Sequence, residues 1–259
     1  MSILPVFLHV PRSGGTYILN SLLRIARRAE NNKNINYVFP HGKRYRVLTD
    51  DFSSNRTLIH SVGSSGFRTF REDLNDLYPN TSFKYYMILR NPLDRLYSHF
   101  KYIKSKKSEH EPTHQAISFD TFEEWIINSP KSHGDFNWLI RQLVGSGNRE
   151  ITQADYYRTF HEIKNFNVYL MEDIEVCIRD ICKVRRWPYI PTDPFMKMKT
   201  LNNSEAKDSI IFQDMDNDFK KNFTEKNLWD LNLYSKFLLY HTEQKKKRRP
   251  GLRANLEEL

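Results

Sequence analysis

The chain has 259 residues, with 40 Lys and Arg against 31 Asp and Glu, giving a net charge of +9 at neutral pH. That length suits one α/β domain with a sizeable core, no Gly-, Ser- or Pro-rich linker divides it, and the positive balance suits anionic ligands. The only cysteines, Cys177 and Cys182, give neither a disulfide framework nor a metal-ligand pattern, and no apolar run approaches membrane-spanning length.

Residues 4–10 read as a buried strand that enters the turn Pro11-Arg12-Ser13-Gly14-Gly15-Thr16 and opens a helix at about Tyr17. Backbone N–H groups in a first helical turn have no intrahelical partner and carry the positive end of the macrodipole, so this junction is a candidate phosphate cradle. It lacks the Gly-Lys-Ser/Thr ending of a nucleotide triphosphatase loop. His9 precedes the turn and is expected to pack or orient it. Residues 31–36 and 53–55 read as loops, with a short strand over 57–60 that ends at His60 and a Ser/Gly-rich loop at 61–66. A helix over 68–77 closes at Tyr78-Pro79-Asn80.

Residues 84–89 read as a second strand, with a continuous apolar run over 85–89. Asn91 then serves as N-cap and Pro92 as first helical residue, and Leu93, Leu96, Tyr97, Phe100 and Ile103 fall on one stripe. Arg90 is left at the carboxyl end of the strand, where open α/β sheets bind ligands. Ser98 lies about 9 Å along the helix from Pro92, and an Arg and a Ser so arranged can share one phosphate. Further on, 104–118 reads as a polar loop, 119–127, 137–144 and 154–165 as helices, 168–171 as a strand, and a long helix starts at about 225. Strands separated by helices imply a P-loop-like three-layer α/β/α fold with a central parallel sheet. One domain over 1–243 and a basic, mobile tail over 244–259, containing Lys245-Lys246-Lys247-Arg248-Arg249, complete the expected organisation.

The segments VPRSGGT and, about 75 residues later, LRNPLDRLYSHF resemble the two cofactor motifs of the sulfotransferases, in particular the branch of Golgi carbohydrate O-sulfotransferases and their bacterial relatives. Residues 137–145, 168–182, 199–204 and 227–237 follow the family's order with weaker likeness. The resemblance implies 3′-phosphoadenosine 5′-phosphosulfate as cofactor. Its 5′-phosphosulfate would be held by Arg12, Ser13, Gly14, Gly15, Thr16 and Tyr17, and its 3′-phosphate by Arg90 and Ser98. Lys199, in the loop KTLNNS, would close over the 3′-phosphate. The family usually carries Lys where this chain has Arg12. Arg stays charged and only donates hydrogen bonds, so Arg12 is expected to stabilise the leaving phosphate or simply to neutralise it, not to act as a general acid.

Transfer to an alcohol needs a base near the acceptor hydroxyl, a task that suits His near neutral pH. His60 is the candidate, since it ends a strand at the ligand edge and resembles the family's catalytic His; His41 is the next, and a structural, hydrogen-bonded His60 is the competing reading. No metal is needed by this scheme. The expected acceptor is a hydroxylated molecule, with resemblance favouring a glycan, and no specific nucleic acid or membrane span is expected. The Golgi enzymes carry a membrane anchor that this sequence does not display, so a soluble, cytoplasmic protein or an excised catalytic domain is expected. A magnesium-dependent P-loop kinase and a non-catalytic nucleotide- or nucleic-acid-binding module are the alternatives.

Overall fold

The computed structural model describes residues 3–29, 37–38, 58–61, 67–105, 115–191 and 211–246, with backbone alone for 37–38, 58–61, 68, 69, 73, 77, 115, 117 and 244–246. Strands β1 (Ile3–Leu8), β2 (Tyr37–Val38), β3 (Leu58–Ser61), β4 (Ser82–Leu89) and β5 (Phe166–Leu170) pair in parallel, in the order β2-β3-β1-β4-β5. The expected α/β architecture with a central parallel sheet is observed. β2 was not expected, because two residues carry no periodicity.

Nine helices surround this sheet among the described residues: α1 (Gly15–Ala29), α2 (Phe67–Leu77), α3 (Pro92–Ser105), α4 (Phe122–Asn128), α5 (Trp138–Val144), α6 (Gln153–Ile163), α7 (Ile174–Arg185), α8 (Asn217–Lys226) and α9 (Leu228–Lys246). Strand alternation sorts them into layers. Val6 and Leu8 with Tyr85, Met87 and Leu89 meet side chains of α2, α5, α6 and α9 on one face. Phe7, Tyr86, Ile88 and Tyr169 meet α1 and α7 on the other. Both faces are therefore covered, which is why β1 and residues 85–89 of β4 read as continuous apolar runs. A third apolar cluster joins α3, α4 and α8, with Phe100 stacked on Trp125 at 5.7 Å between ring centres.

Local chemistry sets the helix ends. α4 starts at Phe122 and not at 119, because Thr121 and Glu124 form a reciprocal capping box. The long helix expected from about 225 is α9, which starts at Leu228; Asn227 separates it from α8, a helix not expected from the sequence. α8 escaped the sequence reading because only Phe219, Phe223 and Lys226 on it are buried. The boundary expected after 243 falls inside α9, which runs to Lys246; residues 247–259 lie outside the described residues.

One polar knot ties α5 to α8 and α9. Asn137 adopts a left-handed backbone conformation at φ 49° and precedes α5. Its Nδ2 donates to the Lys226 carbonyl at 2.8 Å, and its Oδ1 accepts from the Trp229 and Asp230 amides, each at 3.0 Å. The Asp230 carboxylate accepts from the Leu139 and Ile140 amides at 3.3 Å, in the first turn of α5. Complete burial pushes the Asp230 carboxyl above its usual range, against the pull of Arg95 and those amides. Lys226 Nζ donates to the Ile126 and Ile127 carbonyls at 2.6 and 2.7 Å, satisfying the last turn of α4.

Candidate anion-binding site

β1 lies between β3 and β4, so the chain builds outward to β2 and β3 on one side, then crosses through α2 to β4 and β5 on the other. Carboxyl ends of strands at such a switch point form a crevice. Residues 9–16, after β1, and residues 90–98, after β4, both lie there.

The turn after β1 is built on two left-handed residues, Arg12 at φ 65° and Gly14 at φ 77°. The Ser13 amide donates to the Val10 carbonyl at 3.1 Å, and the Ile18 amide to the Gly14 carbonyl at 3.0 Å, which starts α1. Both glycines are required by their neighbours. A Cβ at Gly14 would stand 2.6 Å from Ile174 Cδ1, and one at Gly15 would stand 2.0 Å from His9 Cδ2. His9 thus packs against the helix start, as its position before the turn predicts. Ser13 is 1% exposed, and its Oγ has no partner among the described residues. A buried hydroxyl left so is costly unless something else bonds it. Thr16 is exposed in the first turn of α1, whereas Tyr17 is buried and its hydroxyl donates to Glu175 on α7. Tyr189 donates to the same carboxylate at 2.7 Å.

After β4, Asn91 caps α3 as predicted: its Oδ1 accepts from the Leu93 amide at 2.9 Å, with Pro92 in the first position. Ser98 is buried on α3. The two segments meet through arginine. Arg12 Nε donates to Ser98 Oγ at 3.1 Å, and Arg90 Nη1 donates to the Arg12 carbonyl at 2.8 Å. The Arg12 guanidinium also lies over the Tyr102 ring, 4.8 Å from its centre. Burial lowers the pKa of Arg12, and the neighbouring Arg90 charge lowers it further; burial likewise lowers that of Arg90 against the pull of Asp94 and Glu172. Both remain cationic near neutral pH, since an arginine is effectively always protonated there. Two partly desolvated cations thus share a wall with an unpartnered buried hydroxyl, an arrangement that favours a bound anion.

A small pocket on the α5 and α9 side of Arg90 is lined by Val10, Arg90, Arg95, Asp230 and Tyr234, among others. The Tyr234 phenol is pushed up to about 12, chiefly by burial and further by Glu172 and Asp94.

His60 lies in β3 with its Cα in register with Phe7 of β1, one strand from the turn. Its side chain, and all of His41 and Lys199, lie outside the described residues. Other histidines have local partners: His99 Nε2 lies 3.2 Å and His133 Nδ1 3.5 Å from the Asp135 carboxylate, and His241 contacts Asp173. The segment 137–145 serves the fold. In addition to Asn137, Arg141 donates from Nε to the Phe136 carbonyl and from Nη1 to the Gly147 carbonyl, both at 2.7 Å. Tyr102 is the contact that sequence reasoning missed. Its signal was its place four residues after Ser98, hence on the same helical face.

Among the described residues no helix is long and apolar enough to cross a membrane, and no group of three or more His, Cys, Asp or Glu side chains could hold a metal ion. A scan against protein-family models and a search of curated protein sequences each give no match. Two solved structures are similar at a distance. One is a sulfotransferase from Alicyclobacillus acidocaldarius, 16% identical with a TM-score of 0.36, over 79% of this chain and 97% of that one. The other is mouse sulfotransferase SULT7A1 complexed with PAP, also 16% identical with a TM-score of 0.36, over 99% of this chain and 88% of that one.

Proposed function

We propose that the chain is a sulfotransferase that moves a sulfuryl group from 3′-phosphoadenosine 5′-phosphosulfate to a hydroxyl acceptor, with a carbohydrate as the acceptor class. The observation that carries this reading is the joining of the two phosphate-type segments: Arg90 bonds the backbone of Arg12, and Arg12 bonds Ser98. A donor with phosphate at both ends of its ribose needs two anion subsites in one crevice. The free amides at the start of α1 and the buried Ser13 hydroxyl suit the 5′ end, and the cluster around Arg90 and Ser98 suits the 3′-phosphate.

The donor supplies an activated sulfuryl group. His60 accepts the proton of the acceptor hydroxyl as its oxygen bonds to sulfur, and the bond from sulfur to the 5′-phosphate oxygen breaks. The charge that develops on the leaving phosphate falls on the amides of residues 14–16, the Ser13 amide being bonded to the Val10 carbonyl. The protein forms no covalent bond in this scheme, so positioning and preorganised dipoles supply the rate. Lys199 covers the 3′-phosphate.

Calorimetric titration with 3′,5′-adenosine bisphosphate, ATP and 5′-AMP, each with and without magnesium, tests the reading. Tight binding of the bisphosphate without magnesium is expected, followed by sulfate transfer in an acceptor screen that His60→Ala abolishes. Preference for ATP with magnesium would overturn the proposal in favour of a kinase. Binding to none of them would indicate a module without this chemistry.

A further inference from the structure

Resting on that reading, we infer that Arg12 belongs to the 3′-phosphate subsite and selects the donor there, with Tyr102 as its positioning residue. A residue in the phosphate turn is expected to aim at the 5′ end, but three observations turn this one along α3. Its left-handed backbone, at φ 65°, sets the departure of the side chain. Nε is then spent on Ser98 Oγ at 3.1 Å, the hydroxyl expected to hold the 3′-phosphate. The guanidinium face rests 4.8 Å from the centre of the Tyr102 ring, one helical turn beyond Ser98.

Ser98 and Tyr102 together fix the guanidinium in position and in plane. Its two terminal nitrogens have no partner among the described residues, and the charge that acts on it most is the like charge of Arg90. A planar fork so held, beside a second arginine, matches a dianionic phosphate bound through two oxygens. A lysine at position 12 could give one ammonium donor to Ser98 but would have no planar fork left for the phosphate and no flat face for Tyr102. Arg12 and Tyr102 thus form a matched pair.

The test compares dissociation constants for 3′,5′-adenosine bisphosphate and 5′-AMP, which differ only by the 3′-phosphate, on the full chain. In Arg12→Lys the bisphosphate is expected to weaken by roughly tenfold or more while 5′-AMP changes little, since a charge-assisted pair of bonds is lost at one end of the ligand. Tyr102→Leu is expected to move the same ratio by roughly threefold to tenfold, and Tyr102→Phe, which keeps the ring face, to restore it. Thermal midpoints of the variants identify any that fail to fold, and Tyr102→Phe retains the comparison if Leu does. An equal weakening of both ligands in Arg12→Lys would place Arg12 at the 5′ end and overturn the inference with the function intact. Wild-type protein that does not prefer the bisphosphate over 5′-AMP would overturn both.

Discussion

Gly15 shows how little freedom the turn after β1 allows. Any Cβ there enters the His9 ring, so Gly15→Ala forces either the imidazole or the start of α1 to move. Overpacking of this kind costs about 1–3 kcal/mol, and here the displaced atoms include the amides proposed to bind the donor. The expected result is a lowered thermal midpoint and weakened bisphosphate binding. His9→Ala in the same chain should return both, because it opens the space the methyl needs; a double variant no better than Gly15→Ala would show that His9 is not the obstacle. Arg90 acts differently, as it holds the turn by the Arg12 carbonyl and is proposed to offer charge to the donor. Arg90→Ala is expected to weaken the bisphosphate by roughly tenfold to a hundredfold and acceptor binding far less, measured by separate titrations. Equal losses would mean that its role is structural.

Helix ends depend on side chains that a sequence reveals unevenly. The α6 cap is local: Thr152 and Asp155 cap each other, and Arg149 holds the Asp155 carboxylate with two bonds of 2.6 Å. Those bonds, that of Arg149 first, hold the Asp155 carboxyl below its ordinary 3.8. A depressed folded pKa means stability that is present above the unfolded value and is lost as pH falls through the folded one. Asp155→Asn is therefore expected to lower the urea midpoint at pH 7 and to flatten its decline below about pH 4, followed by denaturation at stepped pH. The caps at Asn91 and the turn at residues 11–16 were legible because every participant lies within a few positions. The knot at Asn137 was not, since its partners are Lys226, Trp229 and Asp230 and no local pattern announces them. For the same reason the contact of Arg12 with Ser98 could not be read, although each residue was singled out for its own chemistry. Asn137→Ala would leave two buried amides and a carbonyl without their partner, at a cost of about 1–3 kcal/mol, measured by chemical denaturation.

Over the whole molecule, the positive charge acts on whatever approaches the crevice. With a net charge of +9 and screening that sets in over about 8 Å at physiological ionic strength, association with the bisphosphate is expected to slow as salt is raised, with a smaller change in dissociation. Stopped-flow titration at several ionic strengths separates the two rates; association independent of salt would mean that steering plays no part. The layered plan itself was open to reading, because β1 and residues 85–89 of β4 are apolar runs and the helices between the strands are striped. The knot that joins α5 to α9 also orders events in time. A chain made from its amino end has produced every described strand of the sheet by Leu170, yet Asp230 comes 60 residues later. At about 5–20 residues per second that gap lasts roughly 3–12 s. During that interval the Asn137 side chain and the first amides of α5 face water, and Arg95 lacks its buried carboxylate. A ribosome halted within that interval is expected to display a nascent chain that a protease cuts near Asn137, and one halted well past Lys246 a chain that resists. The molecule is thus sealed from its trailing end, after the crevice at its leading end has already been assembled.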